Sequence, residues 1–263
     1  SFMDAAWKDA RFGVETVAPA LISCTQSVYG FTAYADGYYF NVVRSLPVIS
    51  GHGGYNDGPA SYFYPSFHHE FGRMRDLAKP NWYLPAWYGG MSSANFRLEQ
   101  YLSFMTNLQG MAKPPDMQVH KPAECSDADG IVESNKAMAR LGTIFTTLAP
   151  ARGEVALLYS ISQCIGSQLR DMNDNYEAQG HTRGKLLQAY LAGKQLHIPF
   201  DPIVEEDIVD GTLAANHRAV ILAGVNYLAP GVTAALEAYA AGGGAVLLTA
   251  DSQAVIKGAV KLD

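Results

Sequence analysis

Three stretches in the first half of the chain gather side chains that can do chemistry. In "ISGHGGYND", His52, Tyr55 and Asp57 fall close together among glycines. Each could offer a hydrogen bond to a ligand, although a glycine-rich loop held by its own hydrogen bonds would read the same way. In "FHHEFGR", Glu70 follows His68 and His69, which makes it, with Asp57, the local candidate for a catalytic carboxylate. It sits in a segment with helical periodicity, where carboxylates are usually solvated or paired. In "KPNWYLPAWYGG", Trp82, Tyr83, Trp87 and Tyr88 crowd a short apolar run that stops at two glycines. Their flat faces suit either a ligand ring or packing at a rim.

The elements that would position these residues follow from the apolar pattern. "PALISC" ending at Cys24, "LPVIS" ending at Ser50, "WYLPAW" ending at Trp87 and "GMAKP" ending at Pro114 read as buried strands. Their spacing is close to the about 30 residues per βα unit of a barrel of eight such units. Between them, "ASYFYPSFHHEFGRMRDLA" and "SSANFRLEQYLSFMTNL" carry apolar residues at helical spacing, the second behind serines that can cap it. Residues 1–120 are therefore expected to form the C-terminal half of a TIM-like barrel.

A change of composition follows, from aromatic-rich to alanine-rich, across the polar stretch "KPPDMQVHKPAECSDADG". Residues 121–153 read as a linker and a bridging helix, "DGIVESNKAMARLGTIFTTL", with Ile131, Met138, Leu141 and Ile144 expected on one face. From residue 154 to 263 the order is "EVALLYS" strand, "GKLLQAYLAGKQ" helix, "PFDPIVEEDI" short strand with a loop, "RAVILAG" strand, "GVTAALEAYAAGG" helix and "GAVLLTA" strand. That alternation predicts a flavodoxin-like open parallel sheet flanked by helices, its ligand-accessible ends at Ser160, Gly224 and Ala250, with "GAVLLTA" as its last strand. The fold class is α/β throughout.

This second half offers two further readings. "ALLYSISQCIGSQ" lies where a flavodoxin binds phosphate, and Ser160, Ser162, Gly166 and Ser167 could donate to it. The spacing departs from the usual one, and Ile161, Cys164 and Ile165 make the loop partly apolar. A glutaminase-like reading needs a nucleophilic cysteine on a glycine-flanked turn paired with a histidine, but Cys164 lies between Gln163 and Ile165, and the turn after "RAVILAG" offers Val225 and Asn226. Cys164 reads as a small buried hydrophobe. His181, His197 and His217 are scattered, so no metal site is proposed and no cofactor is expected.

Composition narrows the partners. The chain has 263 residues, 48% hydrophobic and 17% charged, with a formal net charge of -6 and both signs spread along it. Nothing resembles the basic stripe that phosphate backbones require, so nucleic acid is not an expected partner. No run of about eighteen apolar residues occurs, so a membrane is not expected either. Cys24, Cys125 and Cys164 show neither CxxC spacing nor a disulfide framework. Ser1 and Phe2 ahead of Met3 look like a remnant of tag removal, and a start inside a longer natural chain would look the same.

The "WYLPAW" strand, the "QGMAKP" strand, "DGIVESNKAMARLGTIFTTLAPARGEVALLYS" and "AVILAGVNYLAPGVTAALEAYAAGGGAVLLTA", in that order, resemble the C-terminal part of glycoside hydrolases of the family-42 β-galactosidase type. The resemblance runs from about Pro19 to Ala250. It implies half a barrel followed by a flavodoxin-like, class I glutaminase-like domain that helps subunits associate, so a homo-oligomer is expected. Residues 82–88 become the seventh barrel strand, whose end faces a sugar, and a carbohydrate becomes the expected ligand of the aromatic cluster, with His52, Tyr55, Trp82, Tyr83, Trp87 and Tyr88 as its contacts. Retaining glycosidases use two carboxylates about 5 Å apart, which this family carries at the ends of the seventh and fourth strands. Here the seventh reads Leu84-Pro85-Ala86-Trp87, and the fourth should lie upstream of Ser1. The expectation is a fragment or truncated homologue, inactive as given, with a β-linked sugar as the substrate class of a full-length enzyme. A non-catalytic carbohydrate-binding or assembly protein is the rival reading, and a flavin binder a third.

Overall fold

The structure, a computed structural model, describes residues 27–28, 49–54, 81–86, 101, 110–111, 128–148, 152–163, 166 and 175–262. The chain divides into two compact units, with a break between Pro150 and Ala151.

In the first unit β1 (Ser27–Val28), β2 (Ile49–Gly54), β3 (Asn81–Ala86) and β4 (Gly110–Met111) form a parallel sheet in the order β1-β2-β3-β4. Each strand lies beside its successor in the chain, as successive βα units of a (β/α)8 barrel do. The described strands differ from the expected ones mainly at β1 and β2. The first pairs at Ser27–Val28, and "PALISC" itself lies outside the described residues. The second runs on past Ser50 through Gly51, Gly53 and Gly54. Glycine is depleted in strands for lack of a side chain to pack, which is why this segment reads as a loop. Pairing with β1 at Gly51 and His52, and with β3 along its whole length, supplies the ladder that holds it extended. Pro85, which has no N–H to give, falls in the part of β3 that among the described residues pairs only with β2.

Helix α1 (Ala128–Thr147) closes the described part of this unit. Met138 is buried as expected, but Ile144 is 56% exposed. Each step of three residues turns the helix back by about 60°, so the two steps from Met138 through Leu141 to Ile144 carry the side chain off the apolar face.

The second unit is built on β5 (Val155–Tyr159), α2 (Asn175–Gln195), β6 (Phe200–Val204), α3 (Glu205–Val209), α4 (Thr212–Asn216), β7 (Ala219–Leu222), α5 (Pro230–Ala241), β8 (Ala245–Leu248) and β9 (Val260–Lys261). All five strands are parallel, in the order β6-β5-β7-β8-β9. Numbered within the unit this is 2-1-3-4-5, the flavodoxin-like doubly wound order. Ala156, Leu157, Leu158 and Tyr159 are all buried, because a central parallel strand is covered on both faces and so reads as a continuous apolar run. Leu158, Val220, Leu222, Val246 and Leu248 from the strands meet Ile208, Leu213, Val232, Leu236 and Tyr239 from the helices in one core. Pro230 opens α5 at a position where its missing N–H costs nothing. At α3, Asp207 reaches back to the Val204 N–H at 2.9 Å.

Helices α3 and α4 and strand β9 depart from the sequence reading. The expected loop after β6 is helix α3, and "GAVLLTA" is not the last strand. Val260 and Lys261 add β9, pairing with Leu247 and Leu248. A two-residue strand shows no periodicity from which to read it.

Candidate functional site

The residues singled out in the sequence fall in both units, and only some of them are described. In the first unit His52 lies inside β2, two residues before its end, with Leu84 and Val28 as register partners. Trp82 and Tyr83 are the second and third residues of the six-residue β3, opposite Ser50 and Gly51. At about 3.3 Å per residue, Trp82 lies some four steps from the C-terminal end of its strand, the end at which barrels place their chemistry. Gly54 and Ala86, which precede Tyr55 and Trp87 in sequence, are register partners. Strand β3 contains no Asp or Glu. Tyr55, Asp57, Glu70, Trp87 and Tyr88 lie outside the described residues.

In the second unit the sheet reverses direction of growth between β5 and β7, and open α/β sheets bind ligands in the crevice beyond the carboxyl ends at such a point. Here that crevice is lined by the segments after β5, β6, β7 and β8. Glu205, the first residue of α3, is 8% exposed. Its carboxylate accepts hydrogen bonds from the Ser160 hydroxyl, from the Ser162 hydroxyl at 2.8 Å and from the Ser162 N–H at 3.1 Å. Ser160 in turn accepts from the Gln163 N–H at 2.9 Å.

Beyond β7 the chain turns at Gly224, whose φ of 63° is open to glycine at little cost. Four consecutive N–H groups follow, and each is taken. Gly224 donates to Thr249 Oγ1 at 2.9 Å, Val225 to Ser252 Oγ at 3.0 Å, and Asn226 and Tyr227 to Gln163 Oε1 at 2.6 and 3.0 Å. A glutaminase-like site needs a nucleophile on this turn and free N–H groups for an oxyanion. Glycine stands where the left-handed residue is, and the donors are spent. The phosphate reading meets the same obstacle, since the Ser160 and Ser162 hydroxyls are held by Glu205. Ser167 and Cys164 lie outside the described residues.

Asp251 sits at the rim after β8, 3.1 Å from Lys185 and 2.6 Å from the Thr249 hydroxyl. Partial burial pushes its carboxyl up, but the hydrogen bonds from Thr249 and Lys185 and the lysine charge outweigh that and hold it below the ordinary aspartate value.

Toward the amino-terminal ends of the strands, Asp201 and His217 form a buried pair at 3.2 Å. Asp201 also accepts from the Gly153 N–H at 2.7 Å and from Arg152 at 3.4 Å. An open cavity of about 600 Å³ lies nearby, lined by Ile208, Leu213, Ala235, Tyr239 and the Gly242–Gly244 run. Sequence reasoning read His217 as a scattered histidine. The signal that could have found its partner is Asp201 itself, a charge inside an apolar strand. His197 is on the surface, and the His181 side chain lies outside the described residues. Among the described residues no His, Cys, Asp or Glu group could hold a metal ion, and no helix is long and apolar enough to cross a membrane.

No protein-family model matches the chain, and no curated protein matches it. Solved structures do. An exo-carrageenase of glycoside hydrolase family 42 (GH42) from Bacteroides ovatus superposes with a TM-score of 0.73 at 9% identity, over 99% of this chain and 41% of its own. A β-galactosidase from Bacillus circulans sp. alkalophilus gives 0.66 at 16% identity, over 95% of this chain and 38% of its own. A β-galactosidase from Rahnella sp. R3 gives 0.64 at 16%, over 95% and 39%. The chain has the α/β fold of one part of the TIM-barrel GH42 enzymes and spans about two fifths of the length of these structures.

Proposed function

We propose that the chain is the C-terminal part of a retaining β-glycosidase or of a truncated homologue of one: the last four βα units of its barrel, followed by a non-catalytic, glutaminase-like domain. What supports this reading is the succession of two parallel sheets in one chain, ordered 1-2-3-4 and then 2-1-3-4-5, over nearly the whole length matched to GH42 structures. In this reading β3 is the seventh barrel strand, and a carbohydrate contacts His52, Tyr55, Trp87 and Tyr88 near the strand ends, with Trp82 and Tyr83 deeper along the strand. The seventh strand brings no carboxylate of its own. The decisive experiment is expression of the natural coding sequence with the residues encoded upstream of Met3. In the enzyme reading the longer protein draws both carboxylates from outside β3 and hydrolyses an aryl β-glycoside with retention of configuration; a folded longer protein without such turnover would sink that reading in favour of a carbohydrate-binding or assembly protein.

Self-association belongs to the same reading. Among the described residues β1 and β4 each pair on one side only, and a parallel sheet left with open edges exposes N–H and C=O groups that another chain can satisfy. Sedimentation velocity over a hundredfold range of concentration is expected to show dimers or larger species. A monomer across the whole range would count against half a barrel.

A further inference from the structure

We infer that Glu205 is an internal occupant of an oxyanion seat: the switch-point crevice of the second unit is built to hold a carboxylate or phosphate group, and the chain fills it with its own side chain. Two hydroxyls, of Ser160 and Ser162, and one backbone N–H, of Ser162, converge on the two oxygens of Glu205. All three donors come from the segment after the central strand β5, while the carboxylate comes from the end of β6, more than forty residues away in sequence. Three donors on one buried carboxylate is the coordination that a bound anion of this size receives, and hydrogen bonds to an ionised acceptor are about twice as strong as neutral ones.

The second set of donors in the crevice is closed in the same manner. Gln163 Oε1 takes the N–H groups of both Asn226 and Tyr227. Gln163 is 2% exposed and its own N–H is tied to Ser160, so the two closures share one segment. A ligand phosphate would have to displace a carboxylate that is covalently attached, and therefore present at high effective concentration. The wild-type second unit thus takes neither inorganic phosphate nor flavin mononucleotide in this crevice, and Glu205 acts as a plug that makes it a structural part of the domain.

Emptying the seat tests this. Glu205→Ala leaves the Ser160 and Ser162 donors around a space without an acceptor, and should lower Tm. Sodium acetate or sodium phosphate, each compared with sodium chloride at equal ionic strength, should then raise Tm of Glu205→Ala by several degrees more than it raises that of the wild type. Glu205→Gln, which fills the same space without the charge, should show no such extra gain. If Glu205→Ala does not fold in chloride, its refolding yield in acetate against chloride reads the same effect. Equal shifts in wild type and Glu205→Ala, or equal refolding yields in the two salts, would overturn the proposal, as would stabilisation of the wild type by flavin mononucleotide. The inference concerns the second unit alone, so its failure leaves the glycosidase reading of the first untouched.

Discussion

The 263-residue polypeptide is expected to release aryl alcohol from an aryl β-galactoside no faster than buffer does. A retaining mechanism needs a nucleophile and an acid/base about 5 Å apart. With β3, Asn81–Ala86, as the seventh barrel strand of the proposed reading, its Leu84-Pro85-Ala86 end lacks the carboxylate that the resemblance puts there. Acid/base catalysis contributes about 10²- to 10⁴-fold, and covalent catalysis splits the remaining barrier into two easier steps. Losing both should leave the rate more than about 10²-fold below that of a complete enzyme. Sugar binding can outlive the chemistry, because stacking faces and hydrogen-bonding groups do not depend on the missing pair.

The measurement is initial rates on aryl β-galactosides for wild type, Glu70→Gln and Asp57→Asn, alongside tryptophan fluorescence during sugar titration. The chain has three tryptophans, Trp7, Trp82 and Trp87, all before Pro150, so a fluorescence response reports on the first half alone. No turnover in any of the three proteins, with a saturable fluorescence change, is the expected result. Wild-type turnover abolished by either substitution would place a catalytic carboxylate at Glu70 or Asp57 and overturn the assignment of β3.

Gly153→Ala is expected to cost about 3 to 5 kcal/mol of stability. A Cβ at this position would lie 2.2 Å from the Pro199 carbonyl oxygen and 2.9 Å from its carbon. These are backbone atoms leading into β6, so relief requires moving a strand rather than rotating a side chain. Overpacking of this sort costs about 1 to 3 kcal/mol. The shift also takes the Gly153 N–H away from Asp201, a carboxylate that is 2% exposed, and a hydrogen bond to a charged group is worth about 1.5 to 3 kcal/mol. Urea midpoints measured beside Gly231→Ala check this. A Cβ at Gly231 meets nothing within 4 Å, so that variant should be neutral or slightly stabilising. A Gly153→Ala midpoint equal to that of Gly231→Ala would mean that β5 and β6 do not approach as described.

Short-range pattern in the amino-acid sequence accounts for much of the second unit. Apolar runs of strand length in "EVALLYS", "RAVILAG" and "GAVLLTA" become β5, β7 and β8; β5 is buried from Ala156 to Tyr159, as a central parallel strand is, while β7 and β8 alternate between buried and less covered positions. "GVTAALEAYAAGG" becomes α5 with Val232, Leu236 and Tyr239 buried, because its apolar residues recur at helical spacing behind Pro230. Absence of a carboxylate in β3 is likewise legible, since composition alone states it.

Which polar residues are buried, and against which partners, depends on contacts that form when the whole unit folds. Glu205, Glu206 and Asp207 fall in the segment read in sequence as a short strand with a loop. Folding buries Glu205 and Asp207, and it gives Glu205 to Ser160 and Ser162, which had read as donors to a phosphate. Asp201 and His217, sixteen residues apart, become one buried pair. Strand β2 extends through its glycines because two neighbours pair with it. In each case the outcome rests on a contact between distant segments. A charged group tolerates burial only where partners complete its hydrogen bonds, and no local pattern says which partners the fold will bring.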